Sequence, residues 1–375
     1  MIDLFIFFSL ISFLIILINN IFYLEEEKEY IPLKQKPFIS IIIPARNEEE
    51  NIVDCLNGIL NQKYENFELI VVDDNSNDKT PYLVEKFVDK NKNLKFLRLN
   101  FLPEGWMGKN FACWNGFNLS KGEYLLFTDA DTRFIDENLI EYAISKMKEK
   151  DLKLLSLIPK IEAISFIEKI FMPLWSFAFM TFLPLRILSK KNKFAFALGP
   201  FLLFERKFYE EIGGHKEIRN EIVDDIFLAR KVKENGGNIA ILNGKEFIKV
   251  RFYKNYEEIK RGVTKSAFGA FNYSYKILFI FLLLSFIIFF LPFLNFLKGI
   301  LTSCPNLIKI SFLQISLIYL LKLISDIYNS HDLKYTIFFP ISLLIGIYLC
   351  IYSAKEAFFR RGYVWKERFY PVFKK

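Results

Sequence analysis

The sequence predicts an α/β fold in which a mostly parallel sheet with flanking helices is joined to apolar helices towards both ends of the chain. Between residues 37 and 276, short apolar runs alternate with segments of helical spacing. This alternation is typical of a parallel sheet with crossover helices. Outside that block, apolar segments approach or reach the roughly 20 residues that cross a bilayer. The mean hydropathy of +0.22, high for a soluble enzyme, agrees with this division.

Four apolar runs predict the strands of the sheet. They are FISIIIP, FELIVV, NLKFLRL and EYLLF, in chain order. Continuous apolar character is typical of parallel strands that are covered on both faces. Residues 80–90 and 110–119 have helical spacing, and the segment after the first strand opens with acidic residues, as a helix N-terminus favours.

The first 24 residues predict an N-terminal transmembrane anchor. A cleaved signal peptide is the alternative, but Asp3 stands where a signal peptide carries basic residues. No small-residue cleavage site follows the apolar run either. The uncleaved anchor is therefore the better interpretation.

Residues 277–354 predict a C-terminal transmembrane region, followed by a basic tail over residues 355–375. The candidate spans are residues 277–297, 306–325 and 335–354. The middle one is weaker, because Lys309 and Lys322 interrupt it and a charge deep in lipid is costly. Three spans would put the basic tail outside the cell, against the positive-inside tendency, so an in-plane middle segment stays open.

Residues 165–188 are apolar but interrupted. The interruptions are Glu168, Lys169, Pro173 and Pro184. We interpret the segment as lying in the membrane plane, where it would hold the site against the bilayer and let a lipid acceptor enter. A buried core helix is the alternative.

The net charge of +8 raises the question of nucleic-acid binding. The basic residues flank apolar segments and do not gather in one arm with interleaved aromatic residues, which favours an anionic membrane surface over nucleic acid. The four cysteines are far apart and form no CxxC pair, so neither a disulfide framework nor a zinc site is indicated. A reducing cytosol is compatible with them.

Carboxylates follow three of the predicted strands. Glu48 follows the first, Asp73 and Asp74 the second, and Asp129 and Asp131 the fourth. Ligands of such sheets bind beyond the carboxyl ends of the strands. Residues two apart on an extended segment point the same way, so Asp129 and Asp131 favour a cation between them. GxGxxG and GxxxxGK[ST] loops are missing, so the sequence predicts an acidic, metal-assisted nucleotide site instead.

Four ordered motifs resemble those of glycosyltransferase family 2, the inverting transferases with the GT-A nucleotide-sugar fold. They are SIIIPARNEEENI, LIVVDDNSNDKT, GWMGKNFACWNGFNLSKGEYLLFTDADT and EIVDDIFLARKVKENG. The resemblance runs from about Phe38 to Phe271 and implies a GT-A catalytic domain over residues 37–276. ALGPFLLFERKFYEEIGGH and VWKERFYP are, less specifically, similar to membrane-bound members that glycosylate lipids, including carotenoid and hydroxychlorobactene glucosyltransferases.

The resemblance implies a metal and donor site built on the carboxylates. Asp131 would bind Mg²⁺ or Mn²⁺, and Asp129 would contact the metal or the ribose of a UDP- or GDP-sugar. Asp74 would accept a hydrogen bond from the base and Glu48 from the ribose. The alternatives are a solvated turn for the aspartates and a helix N-terminal charge for Glu48.

Three further residues complete the predicted donor site. Pro44 and Ala45 would present backbone to the nucleotide. Lys109 precedes a predicted helix and would meet phosphate as a point charge, although a surface lysine is an equal alternative.

Asp225 is the predicted general base, which removes the proton of the acceptor hydroxyl as it attacks the anomeric carbon. Asp224 cannot share its direction if the two open a helix, so it would fix a neighbour or the acceptor. The alternative for both Asp224 and Asp225 is that they are acidic residues near the start of a helix, where negative charge is favourable in its own right. Gly213 and His215 would shape a turn lining the acceptor side, with His215 in a structural or hydrogen-bonding role.

The resemblance implies a metal-dependent hexosyltransferase that moves a single sugar to a lipid or other apolar acceptor at the cytosolic face of the cell membrane. Processive members carry Gln-x-x-Arg-Trp, whereas this chain has EEIKRGVTKSAFGAF, in which Arg261 and Lys265 could serve the diphosphate. The missing Trp disfavours a processive polysaccharide synthase, which stays the nearest alternative. A non-enzymatic alternative is a catalytically silent membrane protein that retains the fold and binds sugar-lipids.

Overall fold

The computed structural model describes residues 1–25, 29–189, 195–271, 273–359, 362–365 and 368–371. The chain divides into two compact units. We name the first, Leu24–Glu162 with Ile187–Phe252, the sheet unit. The second, Met1–Tyr23 with Ala163–Arg186 and Tyr253–Lys375, is the apolar-helix unit.

The described residues form short strands and helices of very different lengths. The strands are β1 (Ile39–Ala45), β2 (Phe67–Asp73), β3 (Leu94–Arg98), β4 (Tyr124–Phe127), β5 (Thr132–Phe134), β6 (Leu154–Ile158), β7 (Lys160–Ile161), β8 (Leu202–Glu205), β9 (Ile239–Asn243), β10 (Ile248–Val250), β11 (Gly362–Trp365) and β12 (Arg368–Pro371). The helices are α1 (Ile2–Glu25), α2 (Ile52–Leu60), α3 (Thr80–Val88), α4 (Gly108–Leu119), α5 (Leu139–Glu149), α6 (Phe166–Phe171), α7 (Pro173–Phe182), α8 (Leu185–Ser189), α9 (Arg206–Glu211), α10 (Gly214–Glu217), α11 (Asp224–Glu234), α12 (Tyr256–Ala270), α13 (Tyr275–Phe289), α14 (Leu291–Leu301), α15 (Pro305–Tyr328) and α16 (Phe339–Phe359). A 3₁₀ helix, Leu333–Phe338, leads into α16.

The sheet unit is built on a mostly parallel sheet with the strand order β3-β2-β1-β4-β8-β6-β9. Strands β1 to β4 are parallel, and β8 runs antiparallel between β4 and β6. The four predicted strands correspond to β1 to β4, and the two predicted helices to α3 and α4. The predicted fold class is confirmed. A small second sheet has the order β5-β10-β7.

Alternate residues of the central strands pack into two hydrophobic cores, one on each face of the sheet. Ile41 and Ile43 lie in one core with Leu126, whereas Ile42 and Phe127 lie in the other. Both faces are therefore covered, which is why these strands read as continuous apolar runs.

The register of the sheet brings the ends of three strands to one edge. Ala45 at the end of β1 pairs with Asp73 at the end of β2. Ile42 pairs with Phe127, the last residue of β4, and its carbonyl accepts a hydrogen bond from Thr128 N–H at 3.1 Å. The loops that carry the predicted acidic residues consequently leave the sheet side by side.

The apolar-helix unit contains helices that could cross a membrane. Among the residues that the structure describes, α1, α15 and the run Leu333–Phe359 are long and apolar enough to do so. Such helices satisfy their backbone hydrogen bonds internally, which a bilayer requires.

The predicted span at residues 277–297 does not form one continuous helix. The chain breaks at Phe290, between α13 and α14, and Pro292 stands in the first turn of α14. Proline suits a first turn because it lacks an N–H that would need a partner. The expected span over residues 277–297 is thus divided between two helices, and its crossing of a membrane stays a prediction.

The segment predicted as the weaker span lies within the continuous 24-residue helix α15. Lys322 is buried there and forms an ion pair with Asp326, one turn further along. Asp326 Oδ2 also accepts a hydrogen bond from Thr336 Oγ1 at 2.7 Å. Because Lys322 is paired within the protein, it does not carry the lone charge that weakened the prediction.

Residues 165–188 form the short helices α6 and α7 and most of α8. Phe177 is buried, and its ring packs on Phe339 at a centroid distance of 4.9 Å. Ser342 Oγ donates a hydrogen bond to the Ile170 carbonyl at 2.7 Å. Packing against α16, itself part of a candidate span, is compatible with both interpretations, and a position in the membrane plane stays a prediction. Most of the predicted basic tail, residues 355–375, lies outside the described side chains.

Candidate active site

The loops that follow β1 and β2 are tied together by backbone and side-chain hydrogen bonds. Asp74 N–H donates to the Ala45 carbonyl at 2.8 Å, and Asn47 N–H donates to Ser76 Oγ at 2.9 Å. Asn47 and Asn75 have positive φ values of 51° and 56°, a conformation that asparagine tolerates better than most residues. The backbone at the predicted nucleotide site is therefore held by both loops.

The two adjacent carboxylates of the second loop have different surroundings. Asp73 is fully buried, accepts hydrogen bonds from Ser76 N–H, and lies 3.4 Å from Arg98 Nε. Burial raises the pKa of Asp73 against the effect of these hydrogen bonds. Asp73 thus holds the loop, whereas Asp74 lies beside Ala45 with Pro44 half-buried before it. The nucleotide contacts of Pro44, Ala45 and Asp74 stay predictions.

Glu48 lies in the segment before α2, which begins at Ile52. Its carboxylate accepts a hydrogen bond from Asn51 Nδ2 at 2.8 Å, and its carbonyl accepts from the N–H groups of Asn51 and Ile52. These contacts stabilise the turn that leads into α2 and test neither the helix N-terminal charge nor the ribose contact. A ribose contact by Glu48 stays a prediction.

Lys109 bridges two carboxylates from different parts of the sheet unit. Its Nζ lies 2.7 Å from Asp129 Oδ1 and 3.1 Å from Asp224 Oδ2. Burial opposes its charge, but the two carboxylates outweigh this effect and raise the pKa of Lys109 well above its ordinary value. Lys109 is thus a cation that joins the loop after β4 to the start of α11. Its predicted contact with phosphate remains to be tested.

Gly199 lies between the carboxylates of Asp129 and Asp225. Its N–H donates a hydrogen bond to Asp225 Oδ2 at 3.0 Å. A β-carbon at this position would be 2.9 Å from Asp129 Oδ2 and 3.1 Å from Lys109 Nζ. Glycine is therefore the residue that lets these side chains approach one backbone position.

Burial and the charge of Asp224 raise the pKa of Asp225 to about 7, and Lys109 partly offsets the rise. A carboxyl group with this pKa can take up and release a proton near neutral pH, which general base catalysis requires. The two carboxylates at the start of α11 make different contacts, because Asp224 faces Lys109 and Asp225 faces Gly199. Adjacent side chains on a helix are expected to point in different directions, as these two do.

The segment from Asp129 to Asp131 is a turn, in which Thr132 N–H donates to the Asp129 carbonyl at 3.0 Å. The extended geometry expected for this segment is therefore wrong. No cluster of three or more His, Cys, Asp or Glu residues that could hold a metal occurs within the described ranges. Mg²⁺ commonly takes one or two carboxylates together with substrate phosphates and waters, so Asp129 and Asp131 fit a cation that arrives with a diphosphate.

The expected turn at Gly213 is present, with a φ of 78°. His215, in contrast, is fully buried, and its ring packs against Phe127 at a centroid distance of 4.6 Å. Desolvation lowers the pKa of His215 to about 3, so the imidazole is neutral. The expected structural or hydrogen-bonding role of His215 is confirmed by its contacts with the Tyr209 hydroxyl at 2.7 and 3.0 Å, and the place of this turn on the acceptor side stays a prediction.

Sequence reasoning missed two residues that assemble the site. Gly199 is one, and its partners are revealed only by the fold. Asn110 is the other: its buried side chain donates to the carbonyls of Ile218 and Glu221 at 2.8 and 2.9 Å. Asn110 follows Lys109 directly in GKN. Two polar residues in the first turn of a helix are the sequence feature that could have indicated a site residue here.

The basic residues suggested for the diphosphate lie on α12, in the apolar-helix unit. Arg261 is exposed, and its Nε donates to the Glu257 carbonyl one turn earlier at 3.3 Å. The roles of Arg261 and Lys265 in donor binding stay predictions.

Comparison with known proteins gives a family match and two similar sequences. Residues 40–213 match the sequence model of glycosyltransferase family 2. The chain is 27% identical over 235 residues to a 4,4'-diaponeurosporenoate glycosyltransferase of Staphylococcus haemolyticus. It is 28% identical over 236 residues to the protein of the same name in Staphylococcus aureus. Each alignment spans 60% of this chain and 60% of the relative's length.

The fold also resembles a solved structure over nearly the whole chain. This is the mannosyltransferase PcManGT from Pyrobaculum calidifontis, in complex with GDP-Man and Mn²⁺. The TM-score is 0.55 at 15% sequence identity, and the match covers 96% of this chain and 100% of PcManGT. Together with the family match, this likeness confirms the GT-A fold.

Proposed function

We propose that this chain, whose residues 40–213 form a glycosyltransferase family 2 domain, moves a single sugar from a nucleotide-sugar to a hydroxyl group of a lipid or other apolar acceptor. The names of the two staphylococcal relatives support sugar transfer to an apolar acceptor. The GDP-Man in PcManGT supports a nucleotide-sugar donor. We further propose UDP- or GDP-sugars as donors and a hexose as the sugar.

The single observation that carries the proposal is the contact of Gly199 with both sides of the site. Its N–H donates a hydrogen bond to Asp225, while a β-carbon at this position would lie 2.9 Å from Asp129 Oδ2 and 3.1 Å from Lys109 Nζ. The carboxylate of Asp225, whose pKa is raised, is thereby held next to the carboxylate of Asp129 in the loop after β4. Transfer to a hydroxyl requires one group that binds the donor, here Asp129, and one that takes the proton of the acceptor, here Asp225.

The proposed reaction is a single displacement. Asp225, ionised, accepts the proton of the acceptor hydroxyl as the hydroxyl oxygen forms a bond to the anomeric carbon. The bond from that carbon to the diphosphate breaks, and the nucleoside diphosphate leaves with the electron pair. Attack opposite the leaving group inverts the configuration at the anomeric carbon.

The proposed donor contacts follow the loops at the sheet edge. Asp74 would accept from the base and Glu48 from the ribose, while Pro44 and Ala45 would supply backbone. The cation that Asp129 and Asp131 would hold, Mg²⁺ or Mn²⁺, stabilises negative charge on a departing diphosphate. Lys109 would add a further positive charge at that position. Asp131→Ala is therefore expected to weaken metal-dependent donor binding.

We propose that the acceptor comes from the membrane. The domains would be an anchor over residues 1–24, a cytosolic catalytic domain over residues 37–276 and a transmembrane region over residues 277–354. Helices long and apolar enough to cross a bilayer support this arrangement. Protease accessibility of a C-terminal tag in sealed vesicles would determine on which side the chain ends.

The experiment that tests the function is a transfer assay with the full chain solubilised in detergent. Radiolabelled UDP- and GDP-sugars are supplied in turn with a crude lipid extract from the source cells and either Mn²⁺ or EDTA. Label in the organic phase only with metal is the expected result. Labelled polymer would support a processive synthase, and no product with any donor would support a silent sugar-lipid-binding protein.

A further inference from the structure

Two side chains from neighbouring elements of the sheet unit meet in its core. The hydroxyl of Tyr209, on α9, lies 2.7 Å from Nδ1 of His215, on α10. The same hydroxyl oxygen accepts a hydrogen bond from His215 N–H at 3.0 Å. Both side chains are fully buried, so their polar atoms have to find partners inside the protein.

These two contacts determine which nitrogen of the His215 ring carries the proton. Since a backbone N–H can only donate, the Tyr209 oxygen acts there as an acceptor and its own proton is left to donate. Nδ1 is the acceptor within hydrogen-bond distance of that hydroxyl among the described residues. Nδ1 is therefore unprotonated, and the proton of the neutral ring is on Nε2.

The protonated nitrogen faces the acidic pair. Nε2 of His215 lies 4.0 Å from Asp224 Oδ2, the oxygen that Lys109 Nζ contacts at 3.1 Å. A separation of 4.0 Å is too long for a hydrogen bond, but an N–H dipole at this distance still attracts a carboxylate in a buried site. Asp224 is 6% exposed, so water contributes little to holding it.

We propose that His215 is a positioning residue: its Nε2–H, fixed by Tyr209, holds the carboxylate of Asp224 beside the general base Asp225. This inference rests on the proposed function. Lys109 holds the same carboxylate but also binds Asp129 in the donor site. His215 Nε2 lies 4.0 Å from Asp224 of that pair, so it keeps Asp224 in place when an arriving diphosphate competes for Lys109.

Two substitutions of similar volume separate this role from simple packing. The amide nitrogen of a glutamine reaches the position of Nε2 and can donate, whereas methionine fills the space without a donor. His215→Gln is expected to retain about tenfold more kcat than His215→Met, with the donor KM alike in both. The assay uses UDP-glucose and GDP-mannose in parallel, and thermal unfolding checks that both variants fold. Equal kcat in the two variants, or a difference in donor KM alone, would overturn the proposal.

A second measurement determines which nitrogen of the His215 ring carries the proton, and it does not depend on enzyme activity. The chain has two histidines, so ¹⁵N-histidine labelling gives two pairs of imidazole nitrogen signals, and His215→Gln identifies the pair of His215 by its loss. Solid-state ¹⁵N NMR at neutral pH is expected to show Nε2 protonated and Nδ1 not. In Tyr209→Phe, which removes the donor to Nδ1, a population with the proton on Nδ1 is expected.

The two measurements distinguish failure of this inference from failure of the proposed function. If no donor supports transfer by the wild-type chain, the proposed function fails, and the NMR signal still decides whether His215 presents Nε2–H to Asp224. A signal with the proton on Nδ1, or an imidazolium, would overturn the positioning role even in an active enzyme.

Discussion

The N–H of Gly199 donates a hydrogen bond of 3.0 Å to Oδ2 of Asp225. This contact positions the predicted general base from a backbone N–H, a donor whose place is fixed by the main chain. The missing side chain of Gly199 also leaves room for Asp129 and Lys109. One residue thus connects the two halves of the proposed chemistry.

Gly199→Ala is expected to lower kcat strongly and the unfolding temperature only slightly. The added methyl group would meet the mobile ends of Asp129 and Lys109 rather than backbone, so the side chains would shift and the fold would remain. A misplacement of about 1 Å can cost about a hundredfold in rate. Gly269→Ala, on α12, is the control for an added methyl group. Wild-type kcat in Gly199→Ala would contradict the role of this contact.

The pH dependence of transfer tests the raised pKa of Asp225. A general base works when ionised, and the pKa of Asp225 is about 7, so kcat should rise with pH up to about that value and then level off. Asp224→Asn removes a neighbouring negative charge that raises this pKa. The acid limb of the profile should therefore move to lower pH in that variant. An acid limb that stays in place would contradict the coupling of the two carboxylates.

The ion pair on α15 gives a prediction about stability. Lys322→Met leaves the buried carboxylate of Asp326 without its cation, which typically costs about 3–5 kcal/mol. The double variant Lys322→Met with Asp326→Asn removes both charges and should recover much of that loss. Unfolding in detergent, followed by circular dichroism, measures both. Equal destabilisation of the single and double variants would contradict the importance of the pair.

The parts of the fold that depend on short stretches of sequence could be predicted. Strands β1 to β4 are apolar runs covered on both faces, and their carboxyl ends place Asp74 and Asp129 at one edge by the geometry of parallel sheets. The family motifs then supplied roles that the strands alone could not.

The parts that depend on distant contacts could not be predicted. Asn110 donates to carbonyls more than a hundred residues away, and His215 packs on β4 through Phe127. The helix break at Phe290 has a local cause instead, because Pro292 has no N–H to continue the hydrogen bonds of α13. The four-residue spacing of Lys322 and Asp326 indicates an ion pair on a helix. The spacing does not indicate that both charges are buried.

The most direct test of the account is a parallel measurement of nucleotide binding and sugar transfer in the wild-type chain and in Asp225→Asn. Asparagine keeps the size and polarity of the side chain but cannot take up a proton at neutral pH. We expect UDP or GDP to bind both proteins equally, and transfer to fall by about a hundredfold or more in the variant. Normal transfer by Asp225→Asn would contradict the assignment of Asp225 as the general base.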